Sequence, residues 1–305
     1  MKFLFSTVKG GNFGDNLNCL LWNTLLSKIG AIRPHQAIYG VGSFEKLVVP
    51  AGIQKVHVMG SGFAGSEGLF STDPKSVRFH FVRGPKSASA WNYDRGALGD
   101  GALLLAQTYL YDLPCAIPGL LVGYVPHHVS DQLADYESIC MQAGVRYIRS
   151  KGYDTERFIR EVKACDYIIT EALHGAIVAD IFRKPWAAVS SKRHINSFKW
   201  EDWCQSVGLA YRPYPIEFAC TRGVRADIRM LNGVKRILGL LGLGKAKWRH
   251  KHVFYEGKEA EAVIAGQIRT VLRDGEFVLS APQILSRMMD VSAQALAELK
   301  AEVAA

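Results

Sequence analysis

The run KFLFST (2–7), with Phe3, Leu4 and Phe5 in succession, reads as a buried strand, and it leads into the glycine-rich turn Lys9-Gly10-Gly11-Asn12-Phe13-Gly14-Asp15. Beyond the turn, Leu17, Leu20, Leu21, Thr24, Leu25 and Ile29 recur at helical spacing, so strand, turn and helix make the opening of a βα unit. KVHVMGSGF (55–63) and VRFHFVRG (77–84) read as further strands, each running into glycine. A second series starts after the proline-containing stretch 113–118. LLVGYVPHH (120–128) is a strand, 130–143 a helix with Leu133, Tyr136, Ile139 and Cys140 inward, and VRYIRS a strand. A helix over 154–165, the strand YIITE (167–171), a helix from His174 and the strand WAAVS (186–190) follow. This alternation predicts an α/β protein with two Rossmann-like parallel-sheet domains, residues 1–115 and 116–219, facing a cleft. Sheets of this kind hold ligands at the carboxyl ends of their strands, where loops meet helix N-termini.

From residue 220 the pattern changes. Met230, Val234, Ile237, Leu238 and Leu241 share one helical face, with Arg229, Lys235 and Arg236 opposite, as in a helix lying in a membrane interface. Gly233, Gly239, Gly242 and Gly244 weaken that helix by about 1 kcal/mol each relative to Ala. The basic cluster 245–252 follows, with Trp248 inside it. Between residues 220 and 255 nine Lys/Arg face Asp227 alone, so nearly all of the net charge of +9 sits in this segment. A basic segment on a nearly neutral body predicts a localised anionic partner, here an anionic membrane surface touched through 225–252. No recognised nucleic-acid-binding motif accompanies it, so nucleic acid is not an expected partner. Helices at about 258–273 and 283–303 complete a C-terminal helical extension over 220–305.

Composition narrows the class. At 49% apolar the chain carries enough hydrophobic surface to exclude disorder. No apolar run reaches the roughly 18 residues of a membrane span, and the apolar patch before Lys9 is too short for a signal core, so a cytoplasmic protein is expected. The six cysteines are scattered without a CxxC pair, which excludes a zinc ribbon or a disulfide framework and predicts buried thiols.

The candidate chemistry lies at strand ends. His174, with Glu171 before it and Gly175 after it, falls where YIITE passes into a helix. An imidazole there has its pKa lowered by the helix N-terminus and serves as a neutral base, while backbone N–H groups hold an anion; the same placement suits a simple helix cap. In the first turn Asn12, Gly14 and Asp15 resemble a phosphate cradle without matching GxGxxG or the P-loop, and Asp15 suits a helix N-cap equally. Arg83 is placed for bidentate binding of carboxylate or phosphate. Asp100 is either a turn former or a site carboxylate. His127 and His128 end another strand, and Lys192, Arg193 and His194 form a cationic loop after WAAVS.

Together, GNFGDNLN, VRGPKS, LGDGALLL, VGYVPHH, TEALHGAIVAD and FKWEDW resemble the polysaccharide pyruvyltransferase family, in its bacterial exopolysaccharide branch, over residues 1 to about 210. The resemblance implies a fold similar to GT-B glycosyltransferases and transfer of pyruvate from phosphoenolpyruvate to two hydroxyls of one sugar as a cyclic ketal. It implies phosphoenolpyruvate as donor co-substrate without a further cofactor or metal, and a saccharide acceptor carried on a lipid at the cytoplasmic face of the inner membrane. The family's catalytic histidine falls on His174, with Glu171 or Asp15 as its partner. Many members carry Arg directly before Leu-His, where Ala172 stands here; Arg83, Lys192 and Arg193 are the expected source of the missing charge. Two readings compete: a GT-B glycosyltransferase using a nucleotide sugar, and a non-catalytic saccharide-binding subunit of a polysaccharide-synthesis assembly.

Overall fold

A computed structural model describes residues 1–4, 11–27, 29, 33–45, 47–65, 74–94, 96–114, 121–152, 154–191, 194–220, 234, 238 and 258–304. The membrane-contact segment 225–252, apart from Val234 and Leu238, and the loop residues Lys192 and Arg193 lie outside the described residues.

The first half runs β1 (Lys2–Leu4), α1 (Phe13–Leu26), β2 (Gln36–Tyr39), β3 (Ser43–Phe44), β4 (Lys55–Met59), β5 (Gly62–Phe63), β6 (Val77–Phe81) and α2 (Pro85–Ala90), then a 3-10 turn over Gly101–Gln107. Strands β1, β2, β4 and β6 form a parallel sheet in that order, and β3 pairs with β5 in a small parallel sheet of two strands. The second half runs β7 (Val122–Val125), α3 (His128–Leu133), α4 (Tyr136–Ala143), β8 (Arg146–Tyr147), α5 (Thr155–Lys163), β9 (Tyr167–Thr170), α6 (Leu173–Ile181), β10 (Trp186–Ser190), α7 (Ser197–Ser206) and β11 (Tyr214–Pro215). Its five strands are all parallel, in the order β11-β10-β9-β7-β8. The chain closes with α8 (Lys258–Asp274) and α9 (Pro282–Val303).

One expectation needs correction, and one strand was not foreseen. The helix expected over 130–143 is two helices, because Asp135 turns out of helical geometry and caps α4 with its carboxylate. The strand β2, buried along its whole length, occupies the middle of the first sheet although its run of four residues carries no distinct alternation.

One apolar core joins the two sheets. Leu17, Leu21 and Leu25 of α1 repeat every fourth residue and meet Leu104 and Leu105 of the 3-10 turn, Ile159 and Val162 of α5, Ile177 of α6 and Leu296 and Leu299 of α9. Helix α8 covers α4, and α9 returns to pack on the 3-10 turn and β6. Asn18, buried in α1, donates to the Val41 carbonyl and accepts from the Val41 amide, both at 2.8 Å, so the chain leaving β2 is fastened to the start of α1. Among the described residues Cys140, Cys165, Cys204 and Cys220 are buried, whereas Cys19 is exposed. No described helix is long and apolar enough to cross a membrane.

A buried ion pair fixes the two halves to each other. Arg83, just past β6, donates Nε to Asp202 Oδ2 of α7 at 3.0 Å and Nη2 to the Phe63 carbonyl at 3.0 Å, and its Nη1 reaches Ser43 Oγ. Asp202 also accepts from the Ser87 amide at 3.0 Å and from the Ser87 hydroxyl. Both charges are excluded from water, at 1% and 0% side-chain exposure. Gly62 makes room for the guanidinium, since a Cβ there would lie 2.0 Å from Arg83 Cζ.

Removing one member of such a pair strands the other charge in the interior. Asp202→Ala is expected to lower the unfolding free energy by about 3–5 kcal/mol, whereas the apolar double replacement Arg83→Met/Asp202→Leu recovers most of that loss. Urea unfolding checks both; a change within about 0.5 kcal/mol for Asp202→Ala contradicts the assignment.

His57 and His80, on β4 and β6, are hydrogen-bonded at 3.0 Å, and His57 Nε2 meets Gln36 Oε1 at 2.8 Å. Burial pushes them down to about 4 and about 3 from the ordinary 6.5. The unfolded chain therefore binds protons that the native pair refuses, so stability is complete above pH 6.5 and falls as pH drops toward 4. Unfolding measured from pH 7 to 5 should show a shallower decline in His57→Gln/His80→Gln; equal slopes contradict this.

Candidate active site

The carboxyl ends of strands from both sheets converge on one cavity of about 230 Å³. Its wall includes the first turn of α1, Gly42 and Ser43 beyond β2, His127 and His128 beyond β7, the first turn of α6 beyond β9, and His194 and Lys199 beyond β10.

At the start of α1, the N-cap is Asn12 rather than Asp15. Its Oδ1 accepts from the Asp15 amide at 3.0 Å, and its Nδ2 donates to Asp15 Oδ2. Asp15 thus lies in the first turn, its carboxylate oriented by Asn12. Burial raises Asp15 from 3.8 to about 6, against the opposing pull of Asn12 and Lys199. Gly14 makes room for protein rather than for a ligand at its Cα: a Cβ there would lie 2.1 Å from His174 Nδ1.

His174 stands in the first turn of α6, where no described side chain caps the helix. Its Nε2 lies 3.9 Å from Asp100 Oδ1. That Nε2 and Asp100 Oδ2 are both buried without a hydrogen-bond partner among the described residues. Such orphaned polar atoms are costly in the interior and mark a place made for another group. Burial, then the charges of Arg83 and Lys199, lowers His174 to about 3, so its imidazole is neutral at pH 7. Asp100 also accepts from the Ala102 amide at 2.9 Å, and burial raises it to about 6. Gly175 is required by the close approach of the helix to its own strand, a Cβ there falling 2.3 Å from Thr170 Oγ1.

Glu171 is not a partner of His174. Its fully buried carboxylate accepts from the His127 amide at 3.1 Å and the Ser191 hydroxyl at 2.6 Å, with His194 Nε2 at 3.7 Å. It is therefore a positioning residue that ties the loops after β7 and β10 together. The rings of His127 and His128 lie 4.2 Å apart and those of His127 and His194 4.6 Å apart. Burial holds His127 at about 2 and His128 at about 4, so both are neutral at pH 7.

Arg83 also departs from expectation. Its guanidinium is held by Asp202, Ser43 and the Phe63 carbonyl, behind the cavity wall rather than in it. Among the described residues the cation that lines the cavity is Lys199, in the first turn of α7, whose side chain has no hydrogen-bond or ion-pair partner among them. Burial and the Arg83 charge lower its pKa, while Asp15 and Glu45 raise it. Sequence reasoning missed Lys199, although it lies in FKWEDW, because its neighbours Trp200, Trp203 and Cys204 mark α7 as a packing helix.

Among the described residues the site thus combines the Lys199 ammonium, the N-terminal turns of α1 and α6, neutral imidazoles and two carboxyl groups raised to about 6. It suits a small anion and proton transfer beside it.

Comparison with known proteins agrees in class. Residues 12–193 match the family model described as Polysaccharide pyruvyl transferase, a span that contains His174, Asp15 and Asp100. The chain is 36% identical over 218 residues to the succinoglycan biosynthesis protein ExoV of Rhizobium meliloti (strain 1021), covering 70% of this chain and 67% of that protein. No solved structure matches. By this match and this identity the chain belongs to the polysaccharide pyruvyl transferase family, with His174, Asp15 and Asp100 inside the matched span and Lys199 just beyond it.

Proposed function

We propose that the protein transfers pyruvate from phosphoenolpyruvate to two hydroxyls of one sugar in an exopolysaccharide repeat unit, forming a cyclic ketal. The observation that carries this reading is the neutral His174 sharing one cavity with the unpaired ammonium of Lys199. Phosphoenolpyruvate carries a carboxylate and a phosphate, which call for a cation and uncapped helix amides. Lys199 and the start of α6 take these roles in our reading, in place of the Arg that many relatives carry where Ala172 stands. Lys192 and Arg193 stay proposed as further donor contacts, as does Asn12 as a contact for sugar hydroxyls.

In this reaction a sugar hydroxyl adds to C2 of the enol while C3 takes a proton. Phosphate leaves, and a second hydroxyl of the same sugar closes the ring at C2. Of the two hydroxyl protons released, one balances the proton gained at C3 and the other leaves with phosphate. Neutral His174 accepts the hydroxyl proton, and Asp100 stabilises the imidazolium that results. Asp15 delivers the proton to C3, a role suited to a carboxyl group that titrates at about 6. Glu171 keeps His127 and His194 in place. The two facing parallel sheets support a GT-B-like reading of the fold, and the basic segment 225–252 supports a lipid-carried acceptor at a membrane face.

Mass spectrometry of acceptor glycans after incubation with phosphoenolpyruvate should show a gain of one pyruvate less water, with phosphate released in equal amount. Turnover of a nucleotide sugar without phosphate release would establish the glycosyltransferase instead. Saccharide binding without either reaction, unaffected by His174→Ala, would establish a binding subunit. His174→Ala should lower turnover by about 10²–10⁴-fold with thermal unfolding unchanged.

The pH dependence follows from Asp15. Read at saturating donor, kcat should fall as pH rises above about 6, because Asp15 must begin each turnover protonated, and a bound anionic donor moves that limb upward. Asp15→Asn should lose the limb together with most of the rate. A kcat independent of pH between 5 and 8 contradicts the assignment.

A further inference from the structure

A second and larger hollow, about 740 Å³, opens beside the cavity of His174. Phe13, Ser150 and Phe158 line both, so the two spaces adjoin across a shared wall. The groove runs between the C-terminal part of α4, the strand β8 with the loop that follows it, and the first turns of α5.

Its floor is built in advance. The Phe13 amide donates to the Ser150 carbonyl at 3.0 Å, and Asn16 Nδ2 donates to the Gly152 carbonyl, so the loop after β8 is tied to the start of α1. From the other side Asp131 accepts from the Lys151 amide at 3.3 Å and from the Tyr147 hydroxyl. A loop held at both edges presents its side chains without a large ordering cost.

The charges in the groove are unequally satisfied. Arg146 and Arg157 share Glu161, at 3.6 and 3.1 Å. Arg149, exposed, has the Tyr147 hydroxyl as its hydrogen-bonding neighbour, and Lys151 has no side-chain partner among the described residues. Among the described residues neither cation is in ion-pair contact with a carboxylate, although Asp131 acts on both and Glu137 on Arg149 through space, and both cations stand where the groove approaches Ser150. Polar side chains with fixed hydrogen-bonding groups suit sugar hydroxyls, and unneutralised cations suit a carboxylate or phosphate among them.

We infer that this groove binds the acceptor as an acidic oligosaccharide, its anionic group against Arg149 and Lys151 and its reacting sugar reaching past Ser150 toward His174. The inference rests on the reaction proposed above and adds the acceptor's class: a chain of several sugars bearing negative charge away from the reacting ring. The inner cavity, a third the volume of the groove, is left for the donor and that ring.

The test compares wild type with Arg149→Ala/Lys151→Ala, neither residue having a part in the proton transfers. The probes are acidic oligosaccharides from a bacterial exopolysaccharide, freed of pyruvate by mild acid, a neutral oligosaccharide of equal length and a methyl hexoside. Calorimetric titration without donor should show at least about tenfold weaker binding of the acidic oligosaccharide by the variant, with the neutral one changed little. In turnover, KM for the acidic oligosaccharide should rise similarly, while kcat and transfer to the hexoside stay as in wild type. Unchanged binding of the acidic oligosaccharide overturns the inference even if pyruvate transfer proceeds, as does failure of wild type to bind it. An equal loss for neutral and acidic oligosaccharides overturns the assignment of the anionic group. Charge-dependent binding without any pyruvate transfer upholds the groove and overturns the reaction instead.

Discussion

The ion pair between Arg83 and Asp202 is the constraint on which the arrangement depends. Taking two charges out of water costs several kcal/mol per ion, and that cost is offset only when geometry and surrounding hydrogen bonds are nearly complete. Here they are: the guanidinium meets a carboxylate, a hydroxyl and a carbonyl, and the carboxylate also accepts from the amide and hydroxyl of Ser87. Arg83 follows the last strand of the first sheet and Asp202 lies on the helix after β10 of the second, so satisfying the pair brings the carboxyl ends of both sheets together. Ser43 and Lys199, both in the cavity wall, are adjacent to or one turn from this pair in their own elements.

The same guanidinium acts electrostatically on the site it braces. Its charge helps lower His174 and Lys199 and opposes the rise of Asp100. Burial displaces bases and acids in opposite directions, leaving imidazoles neutral and bringing Asp15 and Asp100 to about 6. The orphaned atoms of His174 and Asp100, side by side, are the cost of keeping such a pair out of water.

Much of the second half was legible because its strands end sharply: YIITE, WAAVS and the helix at His174 all sit within a residue or two of the observed elements. The first half was less so. Its connections between β2, β4 and β6 contain no long helix among the described residues, so the alternation that announces a βα unit is weak there. Site residues followed a similar division. His174, Asp15 and Asp100 were visible because glycine and strand ends marked their positions. The burial of Arg83 was not, since a strand-end arginine reads identically whether it faces a ligand or an aspartate more than a hundred residues away. Gly14 and Gly175 both mark close approaches, and the approaching groups are the protein's own His174 and Thr170.

A crystal structure of the protein with phosphoenolpyruvate bound tests the central claim most directly. The account predicts the ligand in the cavity between the sheets, its anionic groups against Lys199 and the start of α6, with the imidazole of His174 next to C2. Density for the ligand elsewhere, or an empty cavity at saturating ligand in crystals that leave it open to solvent, would contradict it.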